Sequence, residues 1–64
     1  MLRLDADGKR YTFPTTEAAA EWLLTNKPGH VVVNDRDISG DLDYDAYGIT
    51  LGAIEFALEE NEHD

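Results

Sequence analysis

The sequence predicts a small α+β domain in the order ββαβα: an amino-terminal hairpin, a helix, a third strand, and a carboxyl-terminal helix or helix pair. Three observations carry that prediction. Asp7-Gly8 separates two short runs whose apolar residues fall on one face once the turn sets their register. After Pro14, the residues Ala19, Ala20, Leu23 and Leu24 recur at helical spacing, and Leu51, Ile54 and Leu58 do the same near the end.

The hairpin comes first. A two-residue turn with positive φ at both centres suits Asp-Gly, and counting outward pairs Asp5 with Arg10, Leu4 with Tyr11, Arg3 with Thr12 and Leu2 with Phe13. Leu2, Leu4, Tyr11 and Phe13 then share one face, and Asp5 meets Arg10 on the other. The strands span roughly 1–6 and 9–13. Pro14 ends the second strand, Thr15 or Thr16 caps a helix, and Glu17 sits where the helix dipole favours an acid. That helix runs to about Thr25, with Trp22 beside its apolar stripe, and Asn26 and Pro28-Gly29 close it. His30-Val31-Val32-Val33 is a β-branched run that suits a buried strand beside the hairpin.

After Val33, residues 37–41 read as a loop. Leu42 to Ala46 alternates like a strand and also fits a short helix capped by Asp41; the expectation is the helix, with Gly48 as its C′ residue and Ile49 in contact behind it. Thr50 would cap a last helix from Leu51 to about Glu60, broadened by Phe56 and Ala57. The acids that follow oppose the dipole, so the tail from Glu59 through His63 to Asp64 should fray.

The 64 residues allow a single acidic domain, 1–64, with one small core. With no cysteine, neither a disulfide nor a thiolate ligand is available. No apolar run approaches a membrane span and no signal peptide is evident at Met1–Asp5, so cytoplasmic residence is the expectation. Charge is one-sided. Residues 1–34 balance four acids with four bases, whereas residues 35–64 hold ten acids and one base, Arg36, which is the whole formal charge of −9. Such a chain is repelled by nucleic acid and by anionic membranes, and a basic protein groove is its natural partner.

Two other chemistries compete with that reading. Asp35, Asp37, Ser39 and Asp43, with Gly40 at the sixth position and Leu42 at the eighth, resemble an EF-hand or dockerin calcium loop, to which Asp41 adds oxygen. The twelfth position is Ala46, not a carboxylate. Catalysis has little to work with: His30 and His63 lie near no recognisable nucleophile, Ser39 lacks a G-x-S-x-G setting, and Gly40, Gly48 and Gly52 stand among acids that repel phosphate. Neither an enzyme nor a cofactor is expected.

The constellation with most functional content is Asp35, Asp37, Asp41, Asp43, Tyr44, Asp45 and Tyr47, continued by Glu55, Glu59, Glu60 and Glu62. Aromatic side chains give contact area at low entropy cost, and closely spaced carboxylates can occupy a groove built for phosphates. The alternative is a salt-adapted acidic interaction domain. The run Tyr44-Asp45-Ala46-Tyr47-Gly48-Ile49-Thr50, followed by Ala53-Ile54-Glu55, resembles the acidic helix-turn-helix stretch of a small phage-borne anti-CRISPR inhibitor of type I-F surveillance complexes. The likeness covers about a third of the chain. It implies a phage protein that occupies the nucleic-acid path of a Cas subunit, with Asp43, Asp45 and Glu55 as the matching acids.

Overall fold

The computed structural model describes residues 1–62, with side chains for residues 1–59. The last helix continues through Glu62, so the fraying expected from Glu59 is not seen up to that point; residues 63–64 lie outside the described residues, and the roles of Glu60 and Glu62 outside the described side chains. The order is β1 (Leu2–Ala6), β2 (Lys9–Phe13), α1 (Thr16–Asn26), β3 (Val31–Val33), β4 (Arg36–Asp37), a 3₁₀ turn (Ser39–Asp41) and α2 (Tyr47–Glu62). The strands form one antiparallel sheet in the order β2-β1-β3-β4, so the first strand is interior. This is the expected α+β class with one extra strand.

The first hairpin has the register that its turn dictates, from Leu2 opposite Phe13 to Ala6 opposite Lys9. Asp7 and Gly8 both take positive φ, 51° and 85°. Asp7 does more than turn the chain. Its N–H donates to the His30 carbonyl at 2.9 Å, and its carboxylate accepts from the N–H groups of Gly29 and His30 at 3.2 and 3.0 Å. The first turn is thereby tied to the entrance of β3.

Helix α1 starts where its cap requires. The Thr15 hydroxyl accepts from the Ala18 N–H at 3.1 Å, and Glu17 occupies the first turn. It stops at Lys27, whose backbone is left-handed (φ 48°) and whose N–H reaches the Leu23 carbonyl at 2.8 Å. Its buried face, Ala19, Ala20 and Leu23, lies on the sheet face that carries Leu2, Leu4 and Ala6. Trp22 sits over Tyr11 and Phe13, with ring centres 4.6 and 5.8 Å away. Val31 and Val33 from β3, Ile38, and Ile54 and Ala57 from α2 complete the core. Burying each of the larger aliphatic side chains stabilises the fold by about 1.5–3 kcal/mol.

The second half departs from expectation in three places. Asn34 and Asp35 take φ of 52° and 65°, making a second tight turn that pairs Val33 with Arg36 and Val32 with Asp37. Asn and Asp tolerate that left-handed conformation better than other non-glycine residues, and so a strand, β4, forms where a loop was expected. Residues 42–46 are neither strand nor helix. They turn at Tyr44-Asp45, with the Ala46 N–H on the Asp43 carbonyl at 2.9 Å. The last helix begins at Tyr47, four residues early, so Gly48 lies inside it and is not a C′ residue. Thr50 does not cap it either. The Thr50 side chain is fully buried and its hydroxyl serves the preceding loop, donating to the Asp43 carbonyl at 2.8 Å and accepting from the Asp43 N–H at 3.3 Å.

Candidate protein-binding surface

The acids singled out from sequence occupy three different elements. Asp35 is at the tip of the second hairpin. Asp37 is on the edge strand, where Oδ1 accepts from the Ser39 N–H at 2.9 Å and Oδ2 lies 3.2 Å from His30 Nε2. Hydrogen bonds from the Ser39 hydroxyl and then the Ser39 N–H hold its carboxyl below the ordinary carboxylate value, with a smaller contribution from His30. Asp37 is thus a turn-holding group. Ser39 in its turn accepts from the Val31 N–H at 2.8 Å through its hydroxyl.

Asp41, Asp43 and Asp45 are all exposed on the connection into α2. Asp43 organises that connection, since Oδ1 accepts from the Asp45 N–H at 2.9 Å. Tyr44 is half-buried, and its hydroxyl donates to the Pro28 carbonyl at 2.6 Å. Burial pushes its phenol upward, and the charge on Asp7 adds to this. Tyr44 therefore braces the loop against the end of α1.

Tyr47 is different: it is 38% exposed at the start of α2. Its phenol is raised first by loss of solvent and then by the negative field of Glu17, Glu21 and Glu55. Carboxylates from two helices thus put one exposed tyrosine in a negative field. Glu17 and Glu21 escaped the sequence reading because the neutral charge of the first half concealed them. The available signal was their i, i+4 spacing on the exposed side of α1, which puts both on one face. Glu59 is exposed one turn beyond Glu55.

The calcium alternative finds no support in the geometry of the described residues. Asp35 is committed to a hairpin turn and Asp37 to Ser39 and His30, so the segment does not wrap around a common centre. No group of three or more acidic or imidazole side chains among the described residues is arranged to hold a metal ion. Among those residues, no helix is long and apolar enough to cross a membrane. Two cations have visible local roles: Arg10 pairs with Asp5 at 3.1 Å, and Arg36 lies 4.9 Å from the centre of the Phe56 ring.

Fold and surface together define a compact acidic domain, two helices packed on one face of a four-stranded antiparallel sheet, with exposed carboxylates on both helices, on the connection between Ser39 and Tyr47 and at the second hairpin. Comparison with family models, curated proteins and solved structures finds no match to the chain.

Proposed function

We propose that this protein is a small cytoplasmic inhibitor that binds a basic groove of a nucleic-acid-handling protein and excludes the polyanion that the groove was built for. It acts by occupancy and not by catalysis. The observation that supports the reading is the set of exposed carboxylates Glu17, Glu21 and Glu55 on two helices that pack against each other, whose negative field reaches Tyr47, an exposed aromatic at the start of α2. The exposed Asp41, Asp43 and Asp45, on the connection that leads into α2, add further negative charge to the surface. A duplex presents one charge per roughly 1.7 Å of axis, so a compact competitor needs many carboxylates on a small body.

The resemblance of residues 44–55 to a type I-F anti-CRISPR inhibitor selects the partner to test. A purified type I-F surveillance complex is mixed with its duplex target, and target binding is followed as this protein is added. Competition is expected at about 50 mM salt and should weaken by an order of magnitude or more at about 200 mM, because the attraction is electrostatic. Undiminished target binding at low salt, with the protein in large excess, overturns the proposal for that partner.

A further inference from the structure

Three exposed features of α2 lie side by side; within the monomer the Arg36 guanidinium sits 4.9 Å from the centre of the Phe56 ring, and about half of that side chain stays open. Ile49 and Phe56, 54% and 52% exposed, are two turns apart and share a face. Gly48 and Gly52 are one turn apart beside them, although glycine is the least favoured helix residue after proline. A methyl group built on either would meet nothing within 4 Å, and neither has positive φ. Neither packing nor backbone conformation asks for glycine at these positions. Glu55 and Glu59, exposed and one turn apart, continue the glycine stripe along the helix.

Helical geometry orders these residues around α2 as Ile49 and Phe56, then Gly52, then Gly48 with Glu59, then Glu55. The opposite side carries the buried Thr50, Ile54 and Ala57. The outward face is thus a shallow trough with an apolar rim along one side, a floor bare at Gly48 and Gly52, and an acidic end at Glu55 and Glu59. We propose that it docks a basic amphipathic helix belonging to the partner, an inference that rests on the inhibitor reading above. The glycine floor admits a second helix near the short end of the usual 8–10 Å interaxial range. Aliphatic residues of that helix would cover Ile49 and Phe56, and its Lys or Arg residues would meet Glu55 and Glu59. Charge excludes the obvious alternative: a second copy of this chain, also at −9, would bring like charges together at the same acidic end.

The test uses a synthetic peptide of about 14 residues, roughly four turns, with leucine and lysine at amphipathic helical spacing. A scrambled peptide of the same composition is the control. Calorimetry should show the amphipathic peptide binding at least about tenfold more tightly than the scrambled one. Amide shifts should concentrate on residues 48–59. Gly52→Leu, which fills the floor with a good helix former, should reduce affinity at least about tenfold while melting at or above the parent temperature. Phe56→Ser provides the same reading from the apolar rim. Equal affinity for the two peptides overturns the inference, and so does unchanged affinity in both variants. If the variants still compete for the surveillance complex with the parent salt dependence, the trough is not the docking face and the inhibitor proposal stands. If the parent protein never competes, that proposal falls whatever the peptide does.

Discussion

Replacing Thr50 with valine tests how the connection into α2 is held. The two side chains are nearly isosteric, so Thr50→Val leaves no cavity around a residue that is fully buried. What it removes is the hydroxyl that donates to the Asp43 carbonyl at 2.8 Å and accepts from the Asp43 N–H at 3.3 Å. Orphaning two backbone groups costs about 1–3 kcal/mol. Asp43 is itself exposed, and water can recover part of the loss, so about 1–2 kcal/mol is the expected cost. For a domain of this size that lowers the melting temperature by roughly 4–16 °C. Thr50→Ser is the control, since it keeps the hydroxyl and loses one methyl, worth about 0.8 kcal/mol. Thermal unfolding gives the magnitude, and amide hydrogen exchange assigns it: the Asp43 N–H should lose protection in the valine variant and keep it in the serine variant. A valine variant with the parent melting temperature and a protected Asp43 amide would refute the claim that this hydroxyl secures the loop.

The remaining predictions concern single residues and one charge cluster. Gly52→Ala should raise stability by up to about 1 kcal/mol, a gain of roughly 4–8 °C in melting temperature, because the added methyl meets nothing. Lys27→Gly should also stabilise, since Lys27 holds a left-handed backbone that glycine adopts without strain; a lower melting temperature would count against that assignment. Asp37 has a depressed folded-state value, so its contribution is present above the ordinary carboxylate value of 3.8 and is lost as pH falls through the depressed one. Denaturant titrations should therefore show Asp37→Ala less stable than the parent near neutral pH, with the two converging as pH falls below the depressed value. Finally, Glu17→Lys, Glu21→Lys and Glu55→Lys together should leave the circular dichroism spectrum unchanged and flatten the salt dependence of competition; a triple variant that competes like the parent would remove the helix-layer carboxylates from the interface.

The first half of the fold was legible because turn chemistry and hydrophobic period agreed. Asp7-Gly8 and the Leu2, Leu4, Tyr11, Phe13 pattern each specify the same register, and Thr15 with Glu17 marks the start of α1. The second half misled because its signals admit two uses. Asn34-Asp35 reads as loop polarity unless its tolerance of positive φ is weighed, and it is a hairpin turn. Thr50 has the chemistry of an N-cap, but its hydroxyl bonds to a residue seven positions earlier, a tertiary arrangement that local propensity does not encode. The acids were plain in the sequence and their grouping was not. The negative field of Glu17 and Glu21 reaches Tyr47 only because α1 packs against α2, and a charge count by halves separates residues that the fold brings together.

The interior position of β1 has a kinetic consequence. Leu4 and Ala6 find their second partners only in Val33 and Val31, and everything from β2 to the end of α1 must be made before those partners exist. At about 5–20 residues per second of translation, the nascent hairpin waits on the order of seconds with one backbone edge unsatisfied. A chain shortened before Val31 would keep that edge open permanently, and such truncated products should associate through it or be degraded.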